Sequence, residues 1–204
     1  VGQIGRVRMK IPGQFSVYNG LAAATTCLTA GMAFDDVVAA LSAAEGVKGR
    51  AEVVPTGRNF TVVIDYAHTP DGLENICRTL RECCQGRLVT VFGCGGDRDR
   101  TKRPKMGAVA AALSDYLVVT SDNPRTEEPG TIIQDILVGL QGSKTPYTVV
   151  ENRVEAIHWA IAHAQPGDTI LLAGKGHETY QVLKDEVIHL DEREVVADAL
   201  AALQ

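Results

Sequence analysis

From residue 60 onward, short apolar and β-branched runs alternate with longer helix-type runs, and this alternation constrains the fold more than any other feature. Strands are expected at 60–66, 87–93, 116–121, 147–150 and 169–173. Helices are expected at 71–84, 105–113, 131–140, 153–164 and 192–203. The strands at 88–92 and 170–173 are apolar almost throughout rather than at every second position. A strand with one wet face alternates, whereas a strand covered on both faces does not. The expectation is an α/β domain: a Rossmann-like, mostly parallel sheet with helices on both faces.

Before residue 48 the pattern differs. Residues 1–10 alternate apolar and polar side chains (Ile4, Val7, Met9) and read as a strand that Pro12 and Gly13 end. Helices are expected at 16–31 and 34–44, the second with Asp35 and Asp36 as candidate caps, before a turn at 46–49. The chain is therefore divided into 1–47 and 48–204.

Composition narrows the function. The 204 residues carry a formal charge of −5, with 45% hydrophobic and 22% charged residues. That balance suits a soluble globular protein and argues against a nucleic-acid backbone or an anionic membrane as the main partner. No apolar run approaches the ~20 residues of a membrane span, and 1–13 lacks the apolar stretch of a signal peptide. The five cysteines, Cys27, Cys77, Cys83, Cys84 and Cys94, form no CxxC pair and read as reduced thiols of a cytoplasmic protein. No initiator Met is present, so the chain is expected to begin inside a longer protein.

In open parallel sheets ligands bind at the carboxyl ends of the strands. Four polar clusters fall there: 65–70, 93–100, 121–126 and 174–178. Gly93 to Arg100 reads either as a plain turn with solvated charges or as a ligand loop in which Arg98 grips a carboxylate or phosphate. It is neither GxxxxGK[ST] nor GxGxxG. In the second cluster Asp122 suits an ammonium, Asn123 donates and accepts, and Arg125 clamps a carboxylate. An Asx turn at Asn-Pro explains the same residues without a ligand. Two glycines flank Lys175, and Glu178 suits a second ammonium. His177 alone reads as a structural hydrogen-bonder. Asp65 either accepts ribose hydroxyls or caps the next helix.

Together, DYAHTPD at 65–71, GCGGDRDRTKRPKMG at 93–107, DNPRTEEP at 122–129 and GKGHE at 174–178 closely resemble the MurE family, the UDP-N-acetylmuramoyl-L-alanyl-D-glutamate–amino-acid ligases. PGQFSVYNGLAAA at 12–24 looks like the end of that family's central ATPase domain, so the resemblance covers essentially the whole chain. It implies a cytoplasmic ligase of peptidoglycan synthesis with ATP and Mg²⁺. ATP phosphorylates the D-glutamate side chain of UDP-MurNAc-L-Ala-D-Glu, and a diamino acid attacks the acyl phosphate. DNPR is that family's signature for meso-diaminopimelate over L-lysine. The resemblance thus places Arg98, Asp122, Asn123, Arg125, Gly174 and Glu178 in the diamino-acid site. It places Asn19, Arg50, Asp65 and His68 at the nucleotide, with no catalytic side chain and no metal ligand assigned within the chain. The family's P-loop, modified lysine and amino-terminal uridine-nucleotide domain are missing from the 204 residues, so a fragment inactive on its own is expected. Cyanophycin synthetases carry similar DYAH segments, but DNPR followed by TEEP argues against them. A stand-alone amino-acid- or nucleotide-binding domain is the reading from another class.

Overall fold

The computed structural model describes residues 2–9 and 13–203. It divides into two compact units, Val1–Val47 and Lys48–Gln204.

In the first unit residues 2–9 form no strand, which corrects the expectation over 1–10; residues 1 and 10 and the breaker Pro12 lie outside the described residues. Alternation specifies a strand only where a neighbour takes its backbone hydrogen bonds, and Gly2 and Gly5 weaken the preference further. Helices α1 (Gln14–Thr29) and α2 (Phe34–Ala43) follow. Asp35 and Asp36 do not cap α2. The cap is Ala33, without a side-chain bond, and the two carboxylates sit in the first turn, where they face the positive end of the helix dipole. Val17, Tyr18 and Leu21 on α1 are exposed.

The second unit is a six-stranded sheet. Its strands are β1 (Glu52–Val54), β2 (Thr61–Asp65), β3 (Leu88–Phe92), β4 (Tyr116–Val119), β5 (Tyr147–Val149) and β6 (Thr169–Ala173). They lie in the order β1-β2-β6-β3-β4-β5, parallel except for β1, which runs antiparallel to β2. Helices α3 (Pro70–Cys83), α4 (Lys102–Leu113) and α5 (Pro129–Val138) lie side by side, and α6 (Arg153–Ala162) packs on α7 (Glu192–Ala202). A separate hairpin pairs β7 (Tyr180–Val182) with β8 (Val187–His189).

The period of two along each strand sorts the core. Val62, Ile64, Val89, Val91, Ile170 and Leu172 meet Ala156, Ile157, Ala160, Ile161 and Val196 of α6 and α7. Thr90, one residue out of phase, points the other way: it bonds Ser114 Oγ at 2.7 Å and approaches Cys77 Sγ of α3 at 3.9 Å. Helices thus cover both faces, as the sequence implies. Truncating a fully buried Ile157 or Leu172 to Ala would cost about 2–5 kcal/mol.

Local chemistry starts the helices. Thr69 caps α3, accepting from Gly72 N at 3.1 Å, with Pro70 in the first turn. Asn152 and Asp191 cap α6 and α7 in the same way. Helix α4 begins at Lys102, three residues earlier than expected, because Pro104 falls in its first turn, where a missing N–H costs little.

Candidate functional site

Placing β6 between β2 and β3 brings the loops after β2, β6, β3 and β4 together at one rim. They enclose a pocket of about 280 Å³. The loop after β2 supplies Tyr66, His68 and Thr69, and the loop after β3 supplies Gly95, Arg98 and Asp99. Lys102 comes from the start of α4, Asp122, Asn123 and Arg125 from the loop after β4, and Gly174 and Glu178 from the loop after β6. Arg98, Asp122, Asn123, Arg125, Gly174 and Glu178 therefore share one pocket, and His68 joins them. Tyr66, Asp99 and Lys102 line it too, although the sequence reading gave them no role; their place inside the DYAH and DRDRTK segments was the available signal.

Two glycines make the convergence possible. A Cβ on Gly96 would lie 1.9 Å from Pro124 O, so only glycine lets the β3 loop rest on the β4 loop. Gly174 has φ +117°, and a Cβ there would come within 2.8 Å of Asp122 Oδ2. In the loops after β3 and β4 two non-glycine residues, Asp97 and Arg125, also adopt left-handed backbone, each at φ 53°. Such conformations cost roughly 1–3 kcal/mol and persist where the surroundings over-determine them. Here Asp97 N donates to Glu127 Oε1 (2.6 Å), Asp97 Oδ1 accepts from Thr126 Oγ1 (2.7 Å), and Arg125 N donates to Val182 O (3.1 Å).

Three of the lining residues, Asp122, Asn123 and Glu178, gather around Lys175. This lysine side chain is fully buried. Its ammonium donates to Glu178 Oε2 (3.0 Å) and Asn123 Oδ1 (3.1 Å) and lies 3.8 Å from Asp122 Oδ1. Burying an ammonium is costly unless partners replace its water, and these do. Asn123 also receives Val182 N on Oδ1 (2.9 Å) and gives Nδ2 to Glu178 (3.0 Å). The amide expected to meet a ligand thus also joins the β4 loop to the β6 loop and to the hairpin. Among the described residues the side chains of Arg98 and Arg125, by contrast, bond only to backbone carbonyls: Arg98 to Asp97 O, and Arg125 to Gly96 O (2.8 Å) and Asn123 O (3.4 Å). Lys102 Nζ donates to His68 O at 2.7 Å. The pocket therefore brings these two arginines and the acids Asp122 and Glu178 into one lining.

The expected nucleotide residues do not gather in this pocket, apart from His68. Asn19 is an exposed residue of α1 in the first unit. Arg50 lies over the Tyr66 ring, 5.2 Å from its centroid, and Tyr66 also touches His68 and His177. Asp65 is buried, with Oδ2 accepting from Ala51 N (2.7 Å) and Oδ1 from Ala67 N (2.8 Å). Burial pushes its carboxyl above the usual range although both amides pull it down. Cys77 and Cys94 are buried thiols, raised by burial to about 11 and about 12, and all five cysteines are free. Among the described residues no three His, Cys, Asp or Glu side chains converge in a way that would hold a metal ion. Nor is any helix among them long and apolar enough to cross a membrane.

An open, mostly parallel sheet with helices on both faces and a charged pocket at its carboxyl rim defines an α/β domain of the doubly wound kind. More narrowly, the chain belongs to the Mur ligase family: the family model for the Mur ligase glutamate ligase domain matches residues 49–176, more than half of its length. Over 96% of the chain it is 54% identical to the UDP-N-acetylmuramoyl-L-alanyl-D-glutamate–2,6-diaminopimelate ligase of Caldanaerobacter subterraneus subsp. tengcongensis, covering 40% of that protein. It is 48% identical to the protein of the same name from Bacillus cereus, over 95% of the chain and 39% of the relative. A solved ligase of that name superposes with a TM-score of 0.74 at 37% identity, over 96% of this chain and 40% of the other. The chain thus spans about 40% of the length of the curated relatives it matches.

Proposed function

We propose that this chain is the acceptor-binding part of an ATP-dependent ligase that joins meso-diaminopimelate to UDP-MurNAc-L-Ala-D-Glu. Residues 1–47 form the end of its central ATPase domain and 48–204 its carboxy-terminal domain. The observation that carries the reading is the presence of both charge types in one pocket: Arg98 and Arg125 line it together with Asp122 and Glu178. A diamino dicarboxylic acid carries two ammonium groups and two carboxylates. The arginines suit the carboxylates through bidentate bonds, and the acids suit the ammonium groups. L-lysine lacks one carboxylate and would forfeit one charged interaction of about 1.5–3 kcal/mol, or roughly 10- to 100-fold in affinity.

In the reaction ATP transfers its terminal phosphoryl group to the D-glutamate side-chain carboxylate. A neutral amine of the diamino acid attacks that carbonyl carbon. The C–N bond forms, the bond from carbon to the phosphate oxygen breaks, and ADP, inorganic phosphate and a proton leave. The pocket's contribution is to hold the nucleophile in register, with Gly174 and Glu178 at the far amino-acid end. Asn19, Arg50, Asp65 and His68 are assigned to the nucleotide side. Mg²⁺, when bound, supplies charge neutralisation at the phosphates. Among the described residues no three His, Cys, Asp or Glu side chains form a cage for it. No GxxxxGK[ST] loop occurs in the 204 residues, so the phosphate cradle is not supplied by this sequence. The reading places the work in the cytoplasm, in peptidoglycan synthesis and hence in cell shape and division.

Calorimetric titration of the chain with meso-diaminopimelate, with L-lysine as control, tests the reading. Selective binding of diaminopimelate, lost in Arg125→Ala, is expected. Equal affinity for the two amino acids, or binding unaffected by Arg125→Ala, would rule it out.

A further inference from the structure

Beneath the two arginine-bearing loops lies a third arginine that touches neither the pocket nor solvent. Arg103, in the first turn of α4, is fully buried. Its guanidinium donates to Glu127 through both terminal nitrogens, Nη1 to Oε2 (3.0 Å) and Nη2 to Oε1 (2.8 Å). Nη1 also reaches Asp135 Oδ2 on α5 (2.9 Å), and Nη2 reaches Gly95 O in the β3 loop (3.2 Å). Glu127 stands two residues after Arg125. Its Oε1 accepts at the same time from Asp97 N, immediately before Arg98. One buried cation therefore grips the β3 loop at Gly95 and, through Glu127, at Asp97. It grips the β4 loop at Glu127 itself.

These are the loops whose backbones enter left-handed conformations at Asp97 and Arg125. Arg does not favour this conformation and Asp only tolerates it, so outside bonds help both to persist. For Asp97 those bonds run through Glu127 and the adjacent Thr126, and Glu127 is tied to the buried guanidinium; Arg125 is held at Val182 O and reaches back to Gly96 O, next to Asp97. We propose that Arg103 is a positioning residue that fixes the spacing between Arg98 and Arg125, and thereby the separation of carboxylates that the pocket accepts. A free Arg103 Nε–H, buried without a partner, marks what this placement costs.

The size of the ligand's dicarboxylate span rests on the proposed function, whereas the ordering of the loops does not, so the test has two readouts. Backbone amide exchange would be followed in the parent chain, in Arg103→Met and in Glu127→Gln. The last variant keeps the shape of a partly exposed side chain and should fold. Exchange at 96–98 and 125–127 should rise about tenfold or more in both variants while β3 and β4 keep their protection, the equivalent of losing one charged bond. Titration with meso-diaminopimelate should weaken about tenfold, and Arg103→Lys, which keeps charge without the fork, should fall between. Unchanged exchange in these loops overturns the proposal. So does parental affinity in both variants. If the parent chain itself fails to bind, the ligand reading fails, and loop exchange alone decides the role of Arg103.

Discussion

At the scale of single residues, the pocket depends on atoms that are absent as much as on charges that are present. Gly174→Ala would force a Cβ to within 2.8 Å of Asp122 Oδ2 at φ +117°. It is expected to weaken diaminopimelate binding at least tenfold while moving the thermal midpoint far less than a core truncation would, which calorimetry and a melt would show together. Glu127 supplies a pH test. The fork from Arg103 and the amide of Asp97 hold its carboxyl at about 2, against an ordinary 4.5. A depressed carboxyl stabilises the fold above its unfolded value and loses that contribution as the pH falls through its folded one. The loop clamp should therefore be intact above about pH 4.5 and open only as the pH falls toward about 2. An NMR titration of the Glu127 carboxyl should give that midpoint, and Arg103→Met should move it back toward 4.5. Which residues gather in the pocket was legible, because glycines and charges after apolar strands can only lie on the carboxyl rim. How they divide the work was not. Asn123 looks like a ligand contact in DNPR, yet its amide is spent on Lys175, Glu178 and Val182. Those partners stand more than fifty residues away in the chain.

At the scale of elements, periodicity placed every parallel strand and every helix of the second unit, because all of them but the short edge strand β5 bury apolar residues in a regular pattern. It missed β1, three residues long between two breaks in pattern, and the hairpin of β7 and β8, whose residues are mostly polar or half-exposed. The hairpin is not peripheral. Gln181 is buried and donates through Nε2 to Ser121 Oγ (3.3 Å) and to Asp122 O, while the Val182 backbone meets both Asn123 and Arg125. Gln181→Leu would leave those oxygens unpaired, at a cost of about 1–3 kcal/mol. Chemical denaturation should show the loss, and diaminopimelate affinity should fall with it, since the hairpin braces the loop that bears Arg125. The strand expected over 1–10 does not form in 2–9 for the opposite reason: the alternation is present, but no neighbouring strand pairs with it among the described residues.

At the scale of the molecule, a second buried arginine ties the sheet together from its other face. Arg153 at the start of α6 donates to Glu192 of α7 (2.8 Å), to Ser121 O (3.2 Å) and to Ala173 O (2.9 Å), the residues directly before Asp122 and Gly174. Both side chains of the pair are fully buried, and Glu192 Oε2 has no partner. Arg153→Met alone should cost about 3–5 kcal/mol by stranding the carboxylate, and adding Glu192→Leu should recover much of it in a denaturant titration. The two units should also differ in protection. Few side chains of the first are buried, so amides of α1 and α2 are expected to exchange faster than those of β2, β3 and β6. The sheet ends at both sides on a three-residue strand, β1 at one border and β5 at the other. Neither offers a row of unpaired amides long enough to template a foreign chain, so growth of the sheet into a ribbon of stacked copies is blocked at each margin.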